Sequence, residues 1–186
     1  MLARSTNHPI ALVFLPASDI ATFVARGRVD LGITGQDIIA ESEGAAANIT
    51  EEMQLGFGNC RLCVQAPVKM GYTDPKQLVG KRIVTSFTNI TEKYFRELAP
   101  DTKTSVTFIS GSVEAACSLG LADAVVDLVE SGDTMRAAGL EAVTSIMDTE
   151  SVLISNKGMD EHADLIKMIK KRIQGALFSA LDTRYA

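Results

Sequence analysis

The residues best suited to chemistry lie together in one stretch, Ala124-Val125-Val126-Asp127-Leu128-Val129-Glu130-Ser131-Gly132-Asp133-Thr134-Met135. Its first half is an apolar, β-branched run, which predicts a buried strand. Glu130-Ser131-Gly132 is a turn-forming cluster, and Met135 to Ala138 predicts a helix ended by Gly139. A strand, a small-residue loop and a helix start would aim the backbone N–H groups of Ser131, Gly132, Asp133 and Thr134, with two hydroxyls, at one point. With the helix dipole behind them, such groups suit a phosphate. Asp127, at the carboxyl end of the strand, offers an acceptor to sugar hydroxyls. The same pattern also serves as an ordinary βα connection with Ser131 as a plain N-cap, and Glu130 and Asp133 would repel a phosphate if they pointed inward.

Other chemistries find less support. Cys60-Arg61-Leu62-Cys63 has CxxC spacing, but it lies in an alternating, strand-like stretch, whereas a redox pair wants a helix start. A zinc set would need two more ligands, and the only histidines are His8 and His162. Cys60, Cys63 and Cys117 therefore read as ordinary buried or half-buried thiols. A net charge of −5 argues against a nucleic-acid surface. No apolar run is long enough to span a bilayer, and Met1 to Thr6 does not read as a signal peptide. A cytoplasmic location is expected.

The elements that must position these residues follow from periodicity. Ile10 to Leu15 predicts a central strand closed by Pro16. Ser18 caps a helix with Ile20, Phe23 and Val24 inward, ended by Gly27. Val29 to Thr34 predicts a second strand, Gly35 the turn, and Gln36 to Glu41 a helix. This spacing implies a βαβ unit with ligand sites at the strands' carboxyl ends. Glu43 to Asn48 reads as a loop. Arg61 to Val68, interrupted by Pro67, predicts an edge or crossing strand. Lys81 to Ser86 predicts a strand with Thr85 and Ser86 at its end, followed by a helix capped by Asn89 and Glu92. Thr104 to Ile109 is a strand, and Glu114 falls in the first turn of the next helix. Ala142 to Met147 and Ser151 to Ile154 are strands. From Asp160 the longest helix carries an apolar stripe through Leu165, Ile166, Ile169, Ile173, Ala176, Leu177 and Ala180, with Lys167, Lys170, Lys171 and Arg172 largely off it and read as a solvated face rather than a binding patch.

The stretch from Glu114 to Met135 resembles the signature of ATP phosphoribosyltransferase, the first enzyme of histidine biosynthesis. Its places are filled by Glu114, Gly120, Val125, Asp127, Leu128, Ser131, Gly132, Thr134 and Met135, with Asp133 at a variable position. Asp30-Leu31-Gly32-Ile33-Thr34-Gly35 with Asp37, and Phe57-Gly58 with Cys60-Arg61-Leu62, resemble the same family. The resemblance implies an α/β, two-lobed periplasmic-binding-protein-like (type II) fold with mixed, mostly parallel sheets and a ligand in the cleft. The expected lobes are residues 1–66 with 149–186, and residues 67–148 carrying the phosphoribosyl loop. It implies a glycosyltransferase that joins ATP N1 to C1 of phosphoribosyl pyrophosphate and releases pyrophosphate. No catalytic nucleophile is needed, because such chemistry asks for alignment and charge neutralisation. Mg²⁺ is the expected partner of the pyrophosphate oxygens.

On that resemblance, Ser131, Gly132, Asp133 and Thr134 would hold the ribose 5-phosphate, and Asp127 and Glu114 the ribose hydroxyls. Thr34, Gly35, Arg61, Thr85 and Ser86 are secondary candidates for ATP or pyrophosphate, with Lys81 and Arg82 as further cations. Full-length members are expected to form homo-oligomers. A non-catalytic anion-binding module of the same fold is the alternative. Family members carry an N-terminal strand and helix with a basic Lys-Gly-Arg turn before the point matching Arg4-Ser5-Thr6, and long forms add a histidine-binding domain. The expectation is therefore a poor enzyme in isolation, an exposed edge or gap in the first lobe, and no histidine feedback site.

Overall fold

The computed structural model describes residues 1–158 and 162–182. The chain divides into two compact units, Met1–Leu55 with Ser151–Ala186, and Gly56–Glu150. The first boundary falls eleven residues before the expected one at 66, so that Cys60 to Pro67 belongs wholly to the second unit.

The first unit opens with two short strands, β1 (Leu2–Arg4) and β2 (Ala11–Val13), paired only with each other in antiparallel fashion. This corrects the expected central strand: Leu12 is 59% and Phe14 57% exposed. An apolar run specifies an extended segment, but not what covers it. Helix α1 (Ala17–Ala25) follows Pro16, which occupies the cap position expected for Ser18. It buries Ala21 and Val24 completely, while Phe23 stays outward. β3 (Leu31–Gly35) and α2 (Gln36–Glu41) come next, then β4 (Ile49–Gln54). β4 is polar and lies at a sheet edge, so its sequence gives no apolar signature. With β2 outside the sheet of β3, the expected βαβ unit does not form.

In the second unit, β5 (Cys60–Pro67) and β6 (Arg82–Thr85) precede α3 (Thr88–Leu98), β7 (Ser105–Phe108), α4 (Ala115–Ser118), β8 (Ala124–Val129), α5 (Asp133–Ala137) and β9 (Leu140–Thr149). They form one five-stranded sheet in the order β7-β6-β8-β5-β9. β5 is thus an interior strand rather than an edge, and Pro67 is tolerated as its last residue. Leu62, Cys63, Val64, Ile83, Ala124, Val125 and Val126 are completely buried in it. The N-cap of α3 is Phe87, which makes no side-chain cap, and Asn89 lies inside the helix, so Asn89 and Glu92 are not the expected capping pair.

The chain returns to the first unit with β10 (Ser151–Asn156), which lies between β3 and β4, and with α6 (Ala163–Asp182). The expected start of that helix at Asp160 and the side chain of Ala180 lie outside the described residues. The sheets are mixed, but parallel pairing is confined to β6 with β7 and β8. The reason is the double crossing. β4 leads out of the first unit and β10 back into it, while β5 leads into the second and β9 out, so each pair runs antiparallel.

Close packing at Gly32 and polar contacts at Asn156 and Glu52 tie the first unit together. Gly32 lets α1 lie against β3: a Cβ there would come within 2.7 Å of Ile20 and 2.9 Å of Val24. The Asn156 amide on β10 donates to the α1 carbonyls of Val24 (2.8 Å) and Ala25 (3.0 Å). Lys170, expected on a solvated face, instead pairs with the part-buried Glu52 on β4, which also accepts from the Ser155 hydroxyl at 2.6 Å. Among the described residues, no helix is long and apolar enough to cross a membrane.

Candidate functional site

The second unit gathers most of the chemistry-bearing side chains at one end of its sheet. β6 and β8 run parallel, so Thr85, Ser86 and the loop after Val129 share that end. β5 runs against β8 and places Arg61 opposite Val129, with Asp148 of β9 on its other side. Asp127 lies two residues from Val125 on the same face of the strand. That face packs against Val113 and Ala116, which brings the start of α4, and with it Glu114, over Asp127.

The Asp127 carboxylate senses the charge of Glu114. Burial pushes the Asp127 carboxyl above its ordinary value, the Leu128 N–H it accepts at 2.9 Å pulls it back in part, and the charge of Glu114 adds to the rise. A half-buried carboxylate facing a second one is arranged to meet a ligand's donors or a cation.

The loop has the expected strand–turn–helix form, but its cap differs. The N-cap of α5 is Gly132, at φ +80°, a left-handed conformation that a β-branched residue would occupy only under strain. Ser131 does not cap the helix. Its hydroxyl donates to Asp133 Oδ2 at 2.7 Å, and its oxygen accepts from the Asp133 N–H at 3.3 Å. Among the described residues, the N–H groups of Gly132, Thr134 and Met135 have no partner within the protein.

The sequence reading missed Arg136, whose guanidinium donates to the Ser131 carbonyl at 3.0 Å and to Asp133 Oδ1 at 2.6 Å. It lies over Gly132, where an added Cβ would stand 2.8 Å from it. The Ser131 hydroxyl and the Arg136 guanidinium hold the Asp133 carboxyl below its ordinary value. The signal available in sequence was the spacing of Asp133 and Arg136 on a helix start.

Several secondary candidates are engaged elsewhere. The Thr85 hydroxyl is fully buried; it donates to the Val126 carbonyl at 2.7 Å and accepts from the Phe87 N–H. Ser86 donates to the Ile109 carbonyl at 2.7 Å. Both hydroxyls hold the end of β6 in place. Thr34 and Gly35 belong to the first unit, where Thr34 is buried and its hydroxyl donates to the Ala17 carbonyl. Lys81 and Arg82 are at the wrong end of β6: three residues at about 3.3 Å each separate Arg82 from Thr85. Arg82 grips both oxygens of Asp123 and the Gly120 carbonyl, and Lys81 lies over the Tyr72 ring. Only Arg61 remains from the expected cations at the loop end. Cys60, Cys63 and Cys117 are not joined in disulfides. Among the described residues, no group of three or more His, Cys, Asp or Glu is placed to hold a metal.

The sequence model described as "HisG: ATP phosphoribosyltransferase" matches residues 16–175. The chain belongs to this family. The ATP phosphoribosyltransferase of Yarrowia lipolytica is 53% identical over 180 residues, covering 95% of this chain and 60% of that protein. That of Saccharomyces cerevisiae is 51% identical with the same coverage. The chain thus spans about 60% of the length of the curated relatives it matches. Among solved structures, the ATP phosphoribosyl transferase (HisG:HisZ) complex from Thermotoga maritima aligns with a TM-score of 0.82 at 23% identity, over 96% of this chain and 88% of that one. A putative L-cystine ABC transporter from Listeria monocytogenes aligns at 0.63 and 16% identity, over 89% and 70%. Both likenesses show the fold, which is the expected two-lobed, periplasmic-binding-protein-like one.

Proposed function

We propose that this chain joins ATP to phosphoribosyl pyrophosphate, giving phosphoribosyl-ATP in the first step of L-histidine biosynthesis, in the cytoplasm. The observation that carries the reading is the family signature laid out on a real strand–loop–helix, with unpaired N–H groups at the loop and two carboxylates beside it. Ser131, Gly132, Asp133 and Thr134 hold the ribose 5-phosphate, chiefly through backbone N–H groups. Asp127 and Glu114 accept from the ribose hydroxyls, and Arg61 meets pyrophosphate or ATP oxygens. Thr34 and Gly35, in the first unit, are secondary candidates for ATP or pyrophosphate oxygens. Thr85 and Ser86 act by fixing the strand end.

The reaction forms a bond from adenine N1 to ribose C1 and breaks the C1–O bond to pyrophosphate, which leaves with the bonding pair. The protein supplies alignment and charge placement, not a nucleophile. Two hard oxygen donors that repel one another suit a divalent cation carried mainly by phosphate oxygens, as Mg²⁺ usually is. Asp127 and Glu114 are the residues that would hold it, and when bound it neutralises the departing pyrophosphate. Association with further chains, as in the Thermotoga complex, is part of the same proposal.

The test is calorimetric titration of the chain with phosphoribosyl pyrophosphate and Mg²⁺, followed by pyrophosphate release on adding ATP. Saturable one-site binding is expected. An absence of binding would remove the reading, and binding without pyrophosphate release would reduce it to an anion-binding module.

A further inference from the structure

We infer that Arg136 is a positioning residue of the loop, neutralising Asp133 and turning its carboxylate aside so that a sugar phosphate can approach Gly132. The inference rests on the loop being the phosphate site, as proposed above. Glu130 and Asp133 would otherwise place two negative charges on a site meant for a dianion. The structure shows how one of them is handled. Both Asp133 oxygens are taken, one by the Ser131 hydroxyl and the other by the Arg136 guanidinium. The same guanidinium also holds the Ser131 carbonyl, so one planar donor fixes the residues on either side of Gly132.

Stability does not explain the arrangement. The Arg136 and Asp133 side chains are 61% and 79% exposed, and an exposed ion pair at this spacing contributes little to folding. Its charge nevertheless sits at the loop itself, with the guanidinium 2.8 Å from where a Cβ on Gly132 would stand. An uncompensated carboxylate there opposes a phosphate dianion by about tenfold in affinity at an effective dielectric between protein and water.

The experiment is a titration series with ribose 5-phosphate and with phosphoribosyl pyrophosphate plus Mg²⁺, on the chain and on three variants. Arg136→Gln should bind both compounds about tenfold more weakly, with an unchanged thermal midpoint. Asp133→Asn should bind them a few-fold more tightly, because a positive charge is left in excess. Asp133→Asn with Arg136→Gln should return to within about twofold of the parent, a rescue that a merely structural arginine would not show. A double variant no better than Arg136→Gln would mean that Arg136 touches the phosphate itself, and would overturn the positioning role. Parent binding with Arg136→Gln unchanged would overturn it also, leaving the loop reading intact. A parent chain that binds neither compound would remove both.

Discussion

Asp127→Asn separates function from stability. The substitution keeps a carbonyl oxygen to accept the Leu128 N–H, and it removes a carboxylate that burial and Glu114 both disfavour. Among the described residues no cation pairs with Asp127, so folding loses no ion pair. The folded protein should gain stability by up to about 1 kcal/mol, or roughly 2–4 °C in Tm for a chain of this size. The sign has a pH signature. A carboxyl whose folded value is raised binds its proton more tightly in the folded than in the unfolded chain. Stability therefore falls as pH rises from the ordinary carboxylate value through the raised one, and the full cost is present above it. Asp127→Asn should flatten that limb. Ligand binding should go the other way. Losing a charged acceptor to a ribose hydroxyl costs about 1.5–3 kcal/mol, so affinity for phosphoribosyl pyrophosphate should fall roughly ten- to a hundredfold. Differential scanning fluorimetry across acid to neutral pH and calorimetric titration measure the two arms. A Tm lowered by several degrees would make Asp127 a structural carboxylate, and unchanged affinity would place it outside the site.

Gly32→Ala should destabilise the first unit by about 1–3 kcal/mol through overpacking against Ile20 and Val24, read as a lower denaturant midpoint with phosphoribosyl affinity unaffected. Thr85→Val should cost about 1–3 kcal/mol by leaving the Phe87 N–H and the Val126 carbonyl unpaired; a loss of affinity without that drop would make its hydroxyl a ligand contact. Lys170→Met should destabilise the protein at neutral pH. Burial would raise the Glu52 carboxyl, but the hydrogen bonds from Lys170 and Ser155 and the Lys170 charge bring it below its ordinary value. That stability is present above the unfolded carboxylate value and is lost as pH falls through the lowered one. The gap between parent and variant should therefore close in acid, and a gap that persists there would mean lost packing by the lysine stem.

Much of the candidate site's local geometry was legible because its determinants are local. The strand Ala124–Val129, the turn at Gly132 and the start of the next helix follow from side-chain type and short-range backbone preference, and Glu114 and Asp127 stand at fixed offsets from them. The α2 helix at Gln36–Glu41 was readable for the same reason. What required tertiary structure was pairing and cover. The run Ile10 to Leu15 has the composition of a buried strand, yet β2 pairs with β1 and stays exposed, since apolar content does not encode a partner. β4 was invisible because an edge strand whose carboxylate is satisfied by Ser155 and Lys170 needs no apolar pattern. Arg82 and Arg61 are equally basic in sequence, and only strand direction shows that one stands at the far end of the sheet, held by Asp123, and the other beside the loop. Arg136 entered last. Its position fixes that it can reach Asp133, but only the fold of the loop over Gly132 decides that it also holds Ser131, because one guanidinium can serve both only when the left-handed glycine folds the chain back toward it.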